Sequence, residues 1–291
     1  LQDNHSLSGQ PWLVVLHMQQ RGRDNQIYHA FSIEPDAIVA DWQDSLAWQT
    51  LTFWDDKTGS FSSEQQLNFG QCQLAVKPVP LQLSAAQKQQ AWLSYIRSKG
   101  LNCLNWTEPA NTLRARLALL AHYQPDAGWP DFSDAALLAN LETWLGAYLA
   151  PISKSAALAQ LPLYDALLAQ LTYPQQQQLQ QLLPTHWQAP TGSRLAIDYT
   201  AEGGPRLSVR VQEMYGQMQS PHVMQGTITL TIALLSPSRQ PLQVTQNLAS
   251  FWQNAWHEVR KEMRGRYPKH YWPDDPAQAM PTTKTKKAMQ Q

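Results

Sequence analysis

Residues 264–273 (RGRYPKHYWP) come closest to carrying chemistry by residue type and spacing. They interleave Arg264, Arg266, Lys269 and His270 with Tyr267, Tyr271 and Trp272. Cationic groups neutralise phosphates and aromatic faces stack on bases, which is how sequence-tolerant single-strand binding is built. The same residues also suit a rigid Pro-rich strap, in which Tyr and Trp cover a core and Arg bonds to carbonyls. The residues alone leave both readings open. Nearby, His257, His270, Asp274 and Asp275 could converge as metal ligands or as an acid/base pair. Asp before Pro in Trp272-Pro273-Asp274-Asp275-Pro276 is ordinary turn chemistry, however, and favours a structural role.

Other catalytic signatures are missing from the sequence. It has no GxxxxGK[ST] loop to cradle a triphosphate, no GxGxxG opening a helix after a strand, and no HExxH. None of the eight histidines pairs with Cys or Asp at metal-ligand spacing. Ser236-Pro237-Ser238 reads as a strand-end turn, because the glycines of a nucleophile elbow are absent. Cys72 and Cys103 are far apart and in no CxxC spacing, so reduced thiols are the simpler expectation.

The 291 residues suffice for two domains, and 43% hydrophobic content with 12 Trp supports a real core rather than disorder. No apolar run reaches the roughly 20 residues of a membrane helix. Residues 1–10 are polar and show no signal-peptide pattern, and Leu1 reads as a boundary rather than a natural start. The net charge of zero hides an asymmetry. Residues 1–80 carry four Lys/Arg against nine Asp/Glu, whereas residues 251–291 carry eight against four. A polyanion would meet the C-terminal end more readily.

The elements that must position residues 264–273 follow from periodicity. Residues 11–80 read as short strands, with 55–59 (DDKTG) as a hairpin turn and a helical exception over 34–45. A two-proline linker over 78–83 leads into helix. Ser84 with Gln87 opens one helix as a capping box, Thr107 a second, and Ser133 a third with Leu137, Leu141, Trp144, Leu145 and Tyr148 inward. Two shorter helices are expected over 163–171 and 174–183. From Pro190 strands return, and TITLTIALLSP is the strongest of them. Thr245 then caps a long helix with the stripe Leu248, Phe251, Trp252, Ala255, Val259 and Met263, which Gly265 ends.

Several segments resemble the C-terminal region of bacterial HrpB-type ATP-dependent helicases, in the DEAH/RHA group of superfamily 2. They are LNW at 104–106, LETWL at 141–145, PTGSR at 190–194, VQEMYG at 211–216, LLSPSRQPLQVTQNL at 234–248, FW at 251–252 and VRKEMRGRYPKHYWPDDP at 259–276. In order and spacing they span nearly two-thirds of the chain, while residues 1–80 match only in texture. The resemblance implies two RecA-like motor domains, then winged-helix, helical-bundle and OB-like modules, then this extension. It places the opening strands of the OB-like module before Leu1. The motor's Walker, DEAH and arginine-finger residues lie outside this chain, so no catalytic residue carries over.

The expected fold class is therefore α+β. An incomplete OB-like β region (1–80) precedes a helical middle segment (81–189). A C-terminal α/β unit (190–276) follows, ending in a long helix and a Pro-rich basic strap, and then a disordered basic tail (277–291). The expected function is a non-motor accessory region of an ATP-dependent RNA helicase, scaffolding the motor and contacting single-stranded RNA through Arg264, Arg266, Tyr267, Lys269, His270 and Trp272. The alternative is a protein-interaction scaffold that touches no nucleic acid. A third class is an independent hydrolase using His270 and Asp274. No cofactor or metal is expected in this chain, whereas ATP and Mg2+ are expected for the full-length protein. The expected partners are its own motor domains, RNA or a protein, with no membrane, in the cytoplasm. The chain alone should release no phosphate from ATP above background, because it encodes no triphosphate cradle. Phosphate release that disappears with His270→Ala would point to the hydrolase instead.

Overall fold

The computed structural model describes residues 5–22 and 24–289, and the chain divides into two compact units. The first comprises residues 1–88 with 151–157, the second residues 89–150 with 158–291. Helices and sheets are mixed throughout, the α+β class expected from the sequence.

In the first unit, β1 (Leu13–Arg21) and β2 (Asp24–Ser32) form an antiparallel hairpin with register shifts on either side of His17. The helical exception is α1 (Pro35–Asp41), begun by a proline whose missing N–H costs nothing in a first turn. Then β3 (Trp48–Asp55), β4 (Ser60–Phe69) and β5 (Cys72–Val79) pair antiparallel in that order. Asp55 shapes the β3–β4 turn by accepting from the Lys57 N–H at 2.9 Å and the Thr58 hydroxyl at 2.9 Å. Gly59 closes it at φ +60, where a Cβ would also meet Ser155 Oγ at 2.9 Å. The expected linker starts late, because Pro78 still pairs opposite Glu64; β5 is an edge strand, where a missing donor is tolerated. Leu67 and Ile152 are the only buried apolar side chains of this unit among the described residues, whereas Leu16 and Phe31 are 66% and 63% exposed.

The second unit has a larger core. The helix α2 (Ala85–Lys99) opens with the expected capping box, Ser84 and Gln87 bonding reciprocally at 2.9 and 3.2 Å. It is followed by α3 (Glu108–Tyr123), α4 (Asp134–Ala139), α5 (Leu141–Leu149), α6 (Leu163–Leu168) and α7 (Tyr173–Leu182). The single helix expected from Ser133 is two, because Asn140 leaves helical geometry and its side chain competes for the Ala136 carbonyl. Buried Arg116 on α3 donates to the Leu183 and Leu179 carbonyls at 2.7 and 3.3 Å, satisfying the C-terminal end of α7.

The strands β6 (His186–Gln188), β7 (Arg194–Asp198) and β8 (Arg206–Arg210) precede a two-rung ladder of β9 (His222–Val223) and β10 (Ile228–Thr229). With β11 (Thr231–Leu235) and β12 (Pro241–Thr245) they build a five-stranded sheet in the order β12-β11-β8-β7-β6. The run TITLTIALLSP is broken at buried Leu230, whose N–H goes to the Pro221 carbonyl at 2.8 Å. The central pair β8–β11 is parallel and the rest antiparallel.

The long helix starts later and ends later than expected. Thr245 belongs to β12, and Asn247 is the cap, its side chain accepting from the Ser250 N–H at 2.9 Å. Three segments then run on in helical geometry: α8 (Leu248–Ser250), a π-helical turn (Phe251–Ala255) and α9 (Trp256–Arg266). The extra residue of the π turn rotates the buried stripe, so that Trp256 rather than Ala255 takes the central position. Trp256 is ringed by Trp252, Tyr215, Trp272 and Phe251, with centroids 5.4, 5.6, 6.0 and 6.3 Å away.

Residues 277–289 correct the expectation of a disordered tail. Ala279 and Thr282 are buried, the Thr282 N–H reaches the Gln212 carbonyl at 2.9 Å, and Thr285 bridges His270. A short helix, α10 (Lys286–Met289), ends the described part, and residues 290–291 lie outside it. The tail docks through backbone bonds to non-local partners, which composition does not reveal.

Two stability outcomes follow. Trp252→Ala should cost about 3–5 kcal/mol in a denaturant titration, because it empties part of the aromatic cluster and removes the 2.7 Å bond from Nε1 to the Gln217 carbonyl. A cost below about 1 kcal/mol would mean that Trp252 does not hold this core. For His270, burial first and Arg210 second lower the affinity for a proton, and its Nδ1 is buried without a partner. A lowered folded pKa means that the unfolded chain takes up the proton first. The stability from neutral His270 is thus fully present above the ordinary imidazole range and is lost as pH falls through it toward the folded value. His270→Gln should flatten that decline in unfolding midpoint between about pH 8 and about pH 5.

Candidate nucleic-acid interface

The interleaved sequence at 264–273 is sorted by the fold into two sides. α9 closes when the Tyr267 N–H bonds to the Met263 carbonyl at 2.7 Å, and Pro268 prevents the helix from continuing. The chain then turns back, with the His270 N–H on the Tyr267 carbonyl at 3.1 Å and Trp272 Nε1 on the same carbonyl at 3.0 Å. The Tyr271 carbonyl receives Gln212 Nε2 at 3.2 Å and the Tyr215 hydroxyl at 3.1 Å. Arg260 Nε donates to the Trp272 carbonyl at 3.2 Å, and its guanidinium pairs with Asp274. The Arg that bonds to a carbonyl is thus Arg260, while Arg264, Arg266 and Lys269 point to solvent.

Of the six residues singled out from sequence, Arg264, Arg266 and Lys269 are exposed, and Arg266 lies over the Tyr267 ring at 5.8 Å from its centroid, whereas Trp272 is withdrawn from them. Trp272 is only 4% exposed and is spent on the core, so it offers no face for a base, which corrects the stacking role expected of it. Tyr267 is half-buried, and its hydroxyl bonds with Ser238; contacts with Ser236 and Ser238 lower its pKa, with a smaller contribution from Arg266. His270 is half-buried under Thr285. No ion pair among the described residues neutralises Arg264, Arg266 or Lys269, and Glu262, one turn before Arg266, forms none. The docked tail adds Lys286, whose N–H meets the Lys269 carbonyl at 3.0 Å and whose Nζ meets the Pro268 carbonyl at 3.2 Å. Sequence reasoning missed Lys286 because no periodic signal marks residues 277–289.

The acid/base constellation does not assemble. His257 lies exposed on α9, Asp274 is held by Arg260, and the Asp275 carboxylate caps the Ala277 N–H at 2.9 Å. Ser236 is buried in a turn, its hydroxyl accepting from the Gln240 N–H at 3.0 Å. No cluster of three His, Cys, Asp or Glu suited to a metal occurs among the described residues. A cleft of about 810 Å3 lies elsewhere, along α3 and residues 130–133. Its cation, Arg114, is already paired with Asp134 and bonded to the Phe132 carbonyl at 2.9 Å.

Comparison with known proteins accounts for the arrangement. The family model described as "ATP-dependent helicase C-terminal" matches residues 144–276. The ATP-dependent RNA helicase HrpB of Escherichia coli K12 is 41% identical over 289 residues, covering 99% of this chain and 36% of that protein. A crystal structure of the E. coli DExH-box NTPase HrpB superposes with a TM-score of 0.69 at 40% identity, over 98% of this chain and 35% of the other. A second crystal structure, of the E. coli DEAH/RHA helicase HrpB, gives 0.60 at 38% identity, over 92% and 34%. The chain thus spans about a third of the length of the relatives it matches. It belongs to the HrpB family of helicases and corresponds to their C-terminal region.

Proposed function

We propose that this chain is the non-motor accessory region of an ATP-dependent RNA helicase, and that it holds the phosphate backbone of single-stranded RNA on the surface of Arg264, Arg266 and Lys269. The observation that carries this reading is the set of three solvent-facing cations without an ion-pair partner among the described residues, fixed at the end of a helix by a buried Trp272. Cations on a rigid mount lose little freedom when a phosphate arrives. Tyr267 and His270 border this surface, and Trp272 anchors it from below. ATP and Mg2+ act in the motor of the full-length protein, which works in the cytoplasm.

A second reading, the interaction scaffold, rests on the first unit. Its two small sheets bury few apolar side chains and leave Trp42, Trp48 and Phe53 exposed, more open apolar surface than an independent domain usually carries. We take residues 1–80 as an OB-like region that docks on the rest of the helicase, its own motor included. The scaffold role and the RNA role are therefore compatible.

Changing Arg264, Arg266 and Lys269 together to Ala should weaken single-stranded RNA binding whatever the base sequence. It should make the slope of log affinity against log salt shallower by about two, at roughly 0.7 per lost phosphate contact. Far-UV circular dichroism and the unfolding midpoint check that the variant is folded. An unchanged slope in a folded variant would remove the RNA role and leave the scaffold.

A further inference from the structure

The five-stranded sheet has two unlike faces. Leu207, Val209, Ile232 and Leu234 project to one side, are fully buried, and meet the aromatic helix core. The alternate residues of the same strands project to the other side, where Ser208 is exposed and Arg206, Arg210, Thr231, Ala233 and Leu235 are half-buried. On β8 these are Arg206, Ser208 and Arg210. Register places Thr231, Ala233 and Leu235 of β11 beside them, Val244 beside Ala233, and Asp198 beside Arg206. Arg194 and Ala196 continue the row on β7, with His186 and Gln188 on β6.

We propose that this open sheet face, with Arg206, Ser208 and Arg210 along its central strand and Arg194 at its flank, is a second surface for the phosphate backbone of single-stranded RNA, running into the Arg264, Arg266 and Lys269 surface.

Three observations carry this inference, which rests on the RNA reading above. The first is charge. Arg194, Arg206 and Arg210 face a single acid, Asp198, whose carboxylate is turned to the Thr200 N–H and hydroxyl at 2.9 and 2.7 Å. The second is unmet bonding. Arg206 Nε is buried without a hydrogen-bond partner, and Arg206 spends only an Nη on the Glu202 carbonyl at 3.3 Å. No hydrogen bond or ion pair among the described residues holds the Arg210 side chain. The third is continuity. Arg210 ends β8 just before Gln212 and Tyr215, whose side chains bond to the Tyr271 carbonyl at 3.2 and 3.1 Å, so the row on β8 leads to the strap.

The floor chooses between ligands. Ser208, Ala233 and Ala196 are small, so a chain of sugars and phosphates can approach the backbone closely, and Arg206 and Arg210 stand about 13 Å apart along the strand. Protein interfaces centre instead on large aromatic or apolar anchors, and Val244 and Leu235 are the only sizeable apolar residues in these rows.

The test uses the full 291-residue chain and a fluorescently labelled oligouridylate, with anisotropy read over a range of salt. Arg206→Gln with Arg210→Gln should lower the salt slope by about 1.4, at roughly 0.7 per contact, in addition to the loss caused by the strap variant. Ser208→Glu, at an exposed position that leaves the core untouched, should weaken binding at low salt, with the loss fading as salt rises. It decides the matter if the double variant does not fold. Sheet variants that bind as the parent does, while the strap variant loses affinity, would overturn the sheet surface and leave the strap reading intact; an acidic protein would then be the better candidate for this face. A parent chain with no salt-dependent RNA affinity would overturn both.

Discussion

Trp256 is the point on which the C-terminal half turns. Its ring touches residues from the π turn (Phe251, Trp252), from the end of the 3-10 segment 211–214 that follows β8 (Tyr215) and from the returning strap (Trp272). Its Nε1 donates to the Pro273 carbonyl at 3.1 Å, so burial of the indole leaves no unpaired donor. Three chain segments, the long helix, residue 215 and the strap, are thereby held by one side chain. Everything exposed on the strap takes its position from this packing, because residues 267–273 have little regular structure of their own.

The sheet shows how one strand serves two purposes. A period of two puts Leu207 and Val209 into the core and leaves Arg206, Ser208 and Arg210 outside, so core packing itself fixes the spacing of the cations. A slip of one residue in β8 would bury two arginines and expose two core residues. Register is accordingly strongly specified, with neighbours on both sides and a parallel partner in β11.

How much of this was legible in the sequence varied with the range of the interaction. Local signals worked. The Ser84/Gln87 box and the 55–59 turn depend on residues within one or two helical turns. The misses came from competition that a period cannot show. Asn140 broke a stripe by bonding the Ala136 carbonyl with its side chain, and the π turn moved the central position from Ala255 to Trp256. The tail was unreadable because its order depends on Gln212, Gly216 and Lys269, tens of residues away. For the candidate site, the residue types suggested cations beside aromatics but could not say that Trp272 would turn inward. Alternation of basic and aromatic residues is equally compatible with a stacking platform and with a strap.

The same inward turn explains why the surface suits a backbone rather than bases. With Trp272 and Tyr271 engaged in packing, the proposed contact would draw mainly on cations, whose contribution is released counterions and does not depend on sequence. The charge division along the chain acts in the same sense, with nine acids against four bases in residues 1–80 and eight bases against four acids in residues 251–291. Such a division repels a polyanion from the first segment and draws it to the last before any short-range contact forms.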